Sequence, residues 1–449
     1  MRLGSGGFVR ALRTTATTTR GRVFALICLV YFITYVDRVN LSTLAPLMAA
    51  DLHLDTIQLG FALSAFGYTY ALFQILGGMT ADRLGARRTL VACGIVWTVG
   101  TLLTGFVGGL VSLVLARLLL GIGEGATFPA ATTAMTRWVP ASERGYAQGV
   151  VHSCSRLANT VTPPLVVLMA AYLGWRGTFI VLAAVSLCWV VAWGLYVRDD
   201  PKTHPGCTAE ELAALPPARG PAAARTEPTP WGALLRGMLP TTVVYFCYNW
   251  TLWLYVTWLP SYFVKAHDLD IKKSALFAFG VFGAGVIGDT LGGLWADRLY
   301  RRTGDLARAR RTVIVTSLLG SMLCLVPVLF LHDLSVIAAC LSGAFFFLEL
   351  TVGPIWAIPM DVAPKHAGTA SGIMNTGSAV AGIVSPLAFG VVAQLSGSYA
   401  LPFLGSIALL LVGAILAWRA LPKGEVTAPA ETPAETPVLP HGAASRAAT

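Results

Sequence analysis

Apolar stretches of roughly twenty residues, parted by short polar turns, recur along almost the whole chain. A helix that crosses the hydrocarbon core of a bilayer needs about 20 such residues. The pattern predicts spans at 23–45, 57–81, 89–108, 110–135, 146–171 and 176–196. It predicts six more at 238–262, 274–298, 311–331, 333–359, 366–393 and 401–420. The expected fold is an all-α membrane protein of twelve transmembrane helices in two six-helix halves.

Between the sixth and seventh runs the apolar pattern stops. That stretch holds seven prolines, including "LPPARGPAAARTEPTP", and cannot bury enough apolar surface to fold alone. The chain therefore divides into an N-terminal tail (1–22), a first bundle (23–197), a linker (198–236), a second bundle (237–421) and a disordered tail (422–449). The two bundles repeat. "GGMTADRLGARR" closes the second run and "GGLWADRLYRR" closes the eighth, 215 residues later. "PASERG" and "PKHAG" precede the fifth and eleventh runs, and Pro163–Pro164 has a counterpart in Pro386. A parallel duplication of this kind places a transporter's site between the halves, near the midplane.

Composition sharpens the reading. The chain is 55% hydrophobic and 12% charged, about half the charge of an average soluble domain. A net charge of +10 would suit nucleic acid, but its distribution points to topology. With the N-terminus in the cytoplasm, 25 of the 32 Lys and Arg lie in cytoplasmic segments. Four lie outside (Arg176, Lys265, Lys272, Lys273) and three within spans (Arg38, Arg117, Arg156). The positive-inside bias thus expects both termini in the cytoplasm, a lipid bilayer as partner and no nucleic acid. The Arg- and Thr-rich first 22 residues superficially resemble a transit peptide; a basic cytoplasmic tail is the plainer reading. Eight scattered cysteines without a C-x-x-C read as packing residues, with no metal.

Charges inside the spans carry the chemistry. A charge at the bilayer centre costs at least about 2.5–3.5 kcal/mol, so each marks a working site or a partner. Asp37 and Arg38 stand together in the first run. Arg117 and Glu124 are seven residues apart on the fourth, about two turns, and share a face. All four are expected to line one cavity. Arg156 falls near mid-depth on the fifth run and is open to two readings, a substrate contact or an ion pair with Glu349. His152, Glu349 and Asn249 are further possible site residues. Asp289, close above the second loop, is expected to be structural. Tyr31, Tyr68, Tyr245, Tyr248 and the tryptophans at 250, 253 and 258 read as packing or interfacial belt, whereas Trp356 beside Pro354 is a substrate candidate. At the loops, Asp82, Arg83 and Arg87, with Asp297 and Arg298, are expected to form a charge cluster that latches one conformation.

The G-x-x-x-D-R-x-G-x-R-R loop resembles the signature of the major facilitator superfamily. Within it, "YVDRVNLS", "RLLLGIGEGATFP", "SRLANTVTPPLV", "FCYNWTLWLYVTWLPSYF" and "SGIMNTGSAVAGIVSPLAFG" resemble the anion:cation symporters, which include bacterial sugar-acid transporters of the galactonate type. The resemblance covers all twelve runs and implies a proton-coupled organic-anion carrier. It gives Asp37 and Glu124 proton-handling roles, and Arg38 and Arg117 roles in gating and anion binding. It makes Tyr35, Tyr70 and Asn375 polar cavity residues. Three departures stand out. Tyr248–Asn249 replaces the arginine that vesicular glutamate carriers have on the seventh span. Arg156 stands where galactonate-type relatives tend to have an uncharged residue. Thr162–Pro163–Pro164 replaces the Gly-Pro motif of drug antiporters.

The expected function is a symporter importing an organic anion, such as an aldonate or hexuronate, by alternating access. Protons are the coupling ion and no other cofactor is expected. The protein is expected to be monomeric and to sit in a bacterial inner membrane. An anion exchanger, an aromatic-acid importer or a non-transporting sensor are alternatives. An enzyme is not expected, since no run pairs a nucleophile with a base.

Overall fold

The structure, a computed structural model, describes residues 18–215, 229–267 and 271–422. The tails 1–17 and 423–449, the linker stretch 216–228 and the side chains of Lys265, Lys272 and Lys273 lie outside it, with what was expected of them. The first half consists of α1 (Thr19–Leu52), α2 (Thr56–Leu84), α3 (Ala86–Thr104), α4 (Leu110–Gly125), α5 (Thr127–Trp138) and α6 (Arg144–Tyr196). A short α7 (Ala209–Ala214) follows in the linker. The second half consists of α8 (Trp231–His267), α9 (Ile271–Thr303), α10 (Leu306–Leu325), α11 (Leu334–Glu349), α12 (Val352–Val362), α13 (Ala367–Ser396) and α14 (Phe403–Ala420).

These helices make twelve crossings. Ten apolar helical stretches are of spanning length among the described residues. One of them, 141–196, turns back at Gly174, whose φ of 66° is open to glycine without strain, and so supplies the fifth and sixth crossings. The 37-residue α8 adds the seventh. The fourth crossing is α4 with α5, and the tenth is α11 with α12.

Both composite crossings break for the same reason. Proline lacks an N–H and its ring clashes with the carbonyl four residues back. Pro129 does this to Gly125, and Pro354 to Leu350, where α4 and α11 end. The residue just before each break is an acid: Glu124 and Glu349. This shared Glu-x-x-x-x-Pro is a fourth repeat between the halves.

The halves meet through α9 packed along α6, and α13 along α2. At the end that carries the two repeated loops, the contact is backbone to backbone. A methyl group at Gly78 would overlap the Gly368 carbonyl, and one at Gly293 the Gly145 carbonyl. The halves are therefore closed on each other at that end.

The linker departs from expectation. Residues 198–215 fold onto the first half rather than trailing free. Asp199 accepts from the Arg87 amide (2.9 Å), and Trp138 Nε1 donates to the Arg198 carbonyl (3.0 Å). Thr208 and Glu211 cap α7 reciprocally, while Glu211 also accepts from the Arg20 amide (3.1 Å). A stretch unable to fold alone is here ordered in part by packing against the first half.

Candidate functional site

On α1, Tyr31, Tyr35 and Arg38 follow i, i+4, i+7 spacing and share one face. Arg38 Nε donates to Glu124 Oε2 at 2.7 Å. Its guanidinium carbon lies 4.9 Å from the Tyr35 ring centroid, 4.5 Å from Tyr70, 5.0 Å from Phe128 and 5.5 Å from Phe66. Four rings thus cage one cation, each face attracting positive charge. The pair is not saturated. Arg38 Nη2 and Glu124 Oε1 are buried without a hydrogen-bond partner among the described residues. Arg117, two turns from Glu124, lies 5.0 Å from the Phe66 ring, and its Nε is likewise unpartnered.

Asp37 makes no ion pair with Arg38, but it lies close enough to Glu124 and Arg117 to feel both charges. One residue along a helix is a turn of about 100°, which points Asp37 into the first half instead. There it accepts from Ser186 Oγ (3.3 Å) and Asn40 Nδ2 (3.5 Å).

Between the halves runs a wall of rings. Tyr31 stacks on Phe128 (4.4 Å) and meets His152 edge-on (5.2 Å). His152 lies 5.1 Å from Trp356, whose Nε1 donates to the Tyr245 hydroxyl at 2.9 Å. Tyr245 stacks on Tyr248 (5.5 Å). Trp356, on α12, thus shares one buried wall with Tyr31, Tyr245 and Tyr248. Asn249 has a tying role: it donates to the Tyr245 carbonyl (2.8 Å) and accepts from Ser378 Oγ (2.7 Å), joining α8 to α13. Asn375 is buried one turn before Ser378.

At the far side of the wall, Arg156 Nη2 donates to Glu349 Oε2 (3.1 Å) and to the Tyr248 hydroxyl (3.2 Å). Tyr248 in turn donates to Glu349 Oε2 at 2.8 Å. Arg156 Nε stands 3.8 Å from Asp289 Oδ2. Arg156 is thus paired with Glu349 in this structure. Asp289, expected to be structural from its place near the second loop, belongs to this buried cluster. The cluster crosses the halves: Arg156 is on α6, its partners on α8, α9 and α11.

The loop aspartates also cross, but without the arginines expected beside them. Asp82 accepts from the Gly368 amide (2.9 Å), the Thr369 amide (2.7 Å), Thr369 Oγ1 (2.7 Å) and Thr133 Oγ1 (3.0 Å). Asp297 accepts from the amides of Gly145 (3.2 Å) and Tyr146 (2.6 Å) and from Arg310 Nη1 (2.6 Å). Each carboxylate thus caps the first turn of a helix from the opposite half, where free N–H groups and the helix dipole favour an anion. Arg87 instead binds the Gly194 carbonyl within its own half. Arg83 reaches Thr229 Oγ1 at 3.4 Å, and Arg298 is exposed. Arg310 and Asp361, which sequence reasoning missed, continue the second latch. Arg310 pairs with Asp361 (3.3 Å), and Asp361 with Arg144 of the other half (3.0 Å).

Comparison with known proteins agrees with this architecture. The family model described as Major Facilitator Superfamily matches residues 27–386. The probable sulfoacetate transporter SauU of Cupriavidus necator is 47% identical over 93% of this chain and 97% of its own length. The hexuronate transporter of Bacillus subtilis is 29% identical over 90% and 95%. The solved structure of the transporter FucP in its outward conformation aligns with a TM-score of 0.68, at 16% identity, over 88% of this chain and 97% of that one.

Proposed function

The chain belongs to the major facilitator superfamily, and we propose that within it the protein is a proton-coupled carrier that imports small organic anions. Carriage of organic anions is the common activity named for its sulfoacetate, hexuronate and galactonate relatives. The observation that carries the coupling is the unsaturated Arg38–Glu124 pair at the helix break. An incoming carboxylate or sulfonate meets the free Nη2 of Arg38, where a charge-assisted contact contributes about 1.5–3 kcal/mol. As the anion takes over the guanidinium, Glu124 loses its counter-charge. A buried, unpaired carboxylate is costly, so Glu124 takes a proton and travels neutral. Rocking of the halves then exposes the loaded site to the other face.

Sulfoacetate is the first substrate to test, on the strength of the 47% identical relative. The wall facing Arg38 is built of rings, which suits a short anion with few hydroxyls. Sugar acids such as galactonate and hexuronates form the second class, favoured by relatives at about 30% identity. The basic bias expects the loop end and both termini in the cytoplasm of the inner membrane. The protein is expected to act as a monomer.

Reconstituted protein should exchange labelled sulfoacetate or a sugar acid in counterflow, and an inward proton gradient should drive accumulation. Glu124→Gln should keep counterflow and lose the accumulation. Lack of exchange with every acid of the panel would refute carriage; normal accumulation by Glu124→Gln would refute this coupling route.

A further inference from the structure

The Arg156 cluster holds two acids and one fixed cation. Arg156 is always charged, so with both Asp289 and Glu349 ionised the cluster would carry one uncompensated negative charge in a fully buried place. Its hydrogen bonding shows the same deficit. Both oxygens of Asp289 and Oε1 of Glu349 have no donor, although all three are buried, and Arg156 Nε is unpartnered as well. A deprotonated carboxylate left that way costs several kcal/mol, whereas a carboxyl that holds a proton can donate to its neighbour. Glu349 is close enough to α9 for this: its Cβ and Cγ pack against Gly288 and Gly285, beside Asp289.

We propose that Asp289 and Glu349 share one proton against Arg156, forming a protonation site in the second half, distinct from Asp37 and Glu124. The groups that surround it are Tyr35 on α1, Arg156, His152 and Cys154 on α6, Tyr245 and Tyr248 on α8, Asp289 on α9 and Glu349 on α11. None of the others is a carboxylic acid. The repeat between the halves supports a specific role for Asp289. Its counterpart, 215 residues earlier, is Gln74 on α2, which packs against Gly372 of α13 as Asp289 packs against Gly149 of α6. The neutral amide in that place shows that the packing position itself needs no charge.

The site has a consequence that rests on the proposed carrier function. Arg156 belongs to one half and both acids to the other. While Arg156 is engaged, one proton neutralises the cluster. When the halves part there, the acids lose their cation and take up a second proton. Opening is thus tied to binding of one proton, independently of the substrate-linked proton on Glu124.

The shared proton is testable on purified full-length protein without any transport. Infrared spectra in H2O and D2O report the carbonyl stretch of a protonated carboxyl. At neutral pH the wild type should show one such band that Asp289→Asn lacks, because Glu349 then ionises as the sole partner of Arg156. Glu349→Gln should lose the same band for the mirror reason, and Glu124→Gln should keep it. Persistence of every carboxyl band in both Asp289→Asn and Glu349→Gln would overturn the proposal. If one of the two fails to fold, the other decides. Failure of counterflow with the band difference present would defeat the carrier reading and leave this site standing.

Discussion

The two buried arginine–glutamate pairs place their acids in matching positions but draw their arginines from different halves. Glu124 and Glu349 each sit one residue before a proline-induced break, in the fourth and tenth crossings. Arg38 reaches Glu124 from within the same half, whereas Arg156 reaches Glu349 from the other half. A pair inside one rigid half survives any rocking of the halves; a pair between them must break. The first is therefore suited to hold a substrate through the cycle, and the second to register which way the carrier faces. Duplication supplied the acid twice, and placement of the arginine set its use.

The largest expected effect separates the pairs by stability. Arg156→Gln leaves two buried acids without a cation, so a second proton must be taken up to neutralise them, and breaking a buried pair from one side costs about 3–5 kcal/mol before that uptake. Thermal unfolding in detergent should show that loss, and adding Glu349→Gln should restore most of it. Substrate affinity of the folded double variant should match wild type; a large loss would move Arg156 into the substrate site.

Arg38→Gln should separate them by binding. Its partner Glu124 can neutralise itself with a proton, so the fold should hold. Apparent substrate affinity should fall about ten- to hundredfold, the equivalent of about 1.5–3 kcal/mol. Equilibrium binding to purified protein checks this, and wild-type affinity would break the comparison.

A smaller effect concerns the latches. Asp297 shares Arg310 with Asp361 and, through it, Arg144, while Asp82 holds only neutral donors. Asp297→Asn should weaken closure by about 1.5–3 kcal/mol, and Asp82→Asn by about 0.3–1 kcal/mol. Spin-label distances across the loop end should therefore report a larger open fraction for Asp297→Asn; equal fractions would make the latches equivalent.

How far the sequence could be read follows from what each feature depends on. The spans were legible because twenty apolar residues are a local signal, and the buried charges Arg38, Glu124, Arg156 and Glu349 because ionisable residues are rare within spans. The hydrogen bond of Asp37 to Ser186 was not legible because it depends on helix phase against the sixth crossing. The contact of Asp289 with Arg156 was not legible because it is made across the halves. Arg144, Arg310 and Asp361 hid among basic loop residues that topology alone accounts for. The folded linker was invisible because its stabilising surface belongs to the first half.

The central claim is that the cross-half cluster must part during turnover while the Arg38 site need not. Ser153 Oγ on α6 and Thr290 Oγ1 on α9 touch across the halves at 2.8 Å, beside Asp289. Cysteines at these two positions, in a background with the eight native cysteines replaced, can be oxidised to lock that contact. The account predicts that oxidised Ser153→Cys/Thr290→Cys protein loses counterflow and regains it on reduction. Counterflow at the same rate in the oxidised and reduced protein would contradict it.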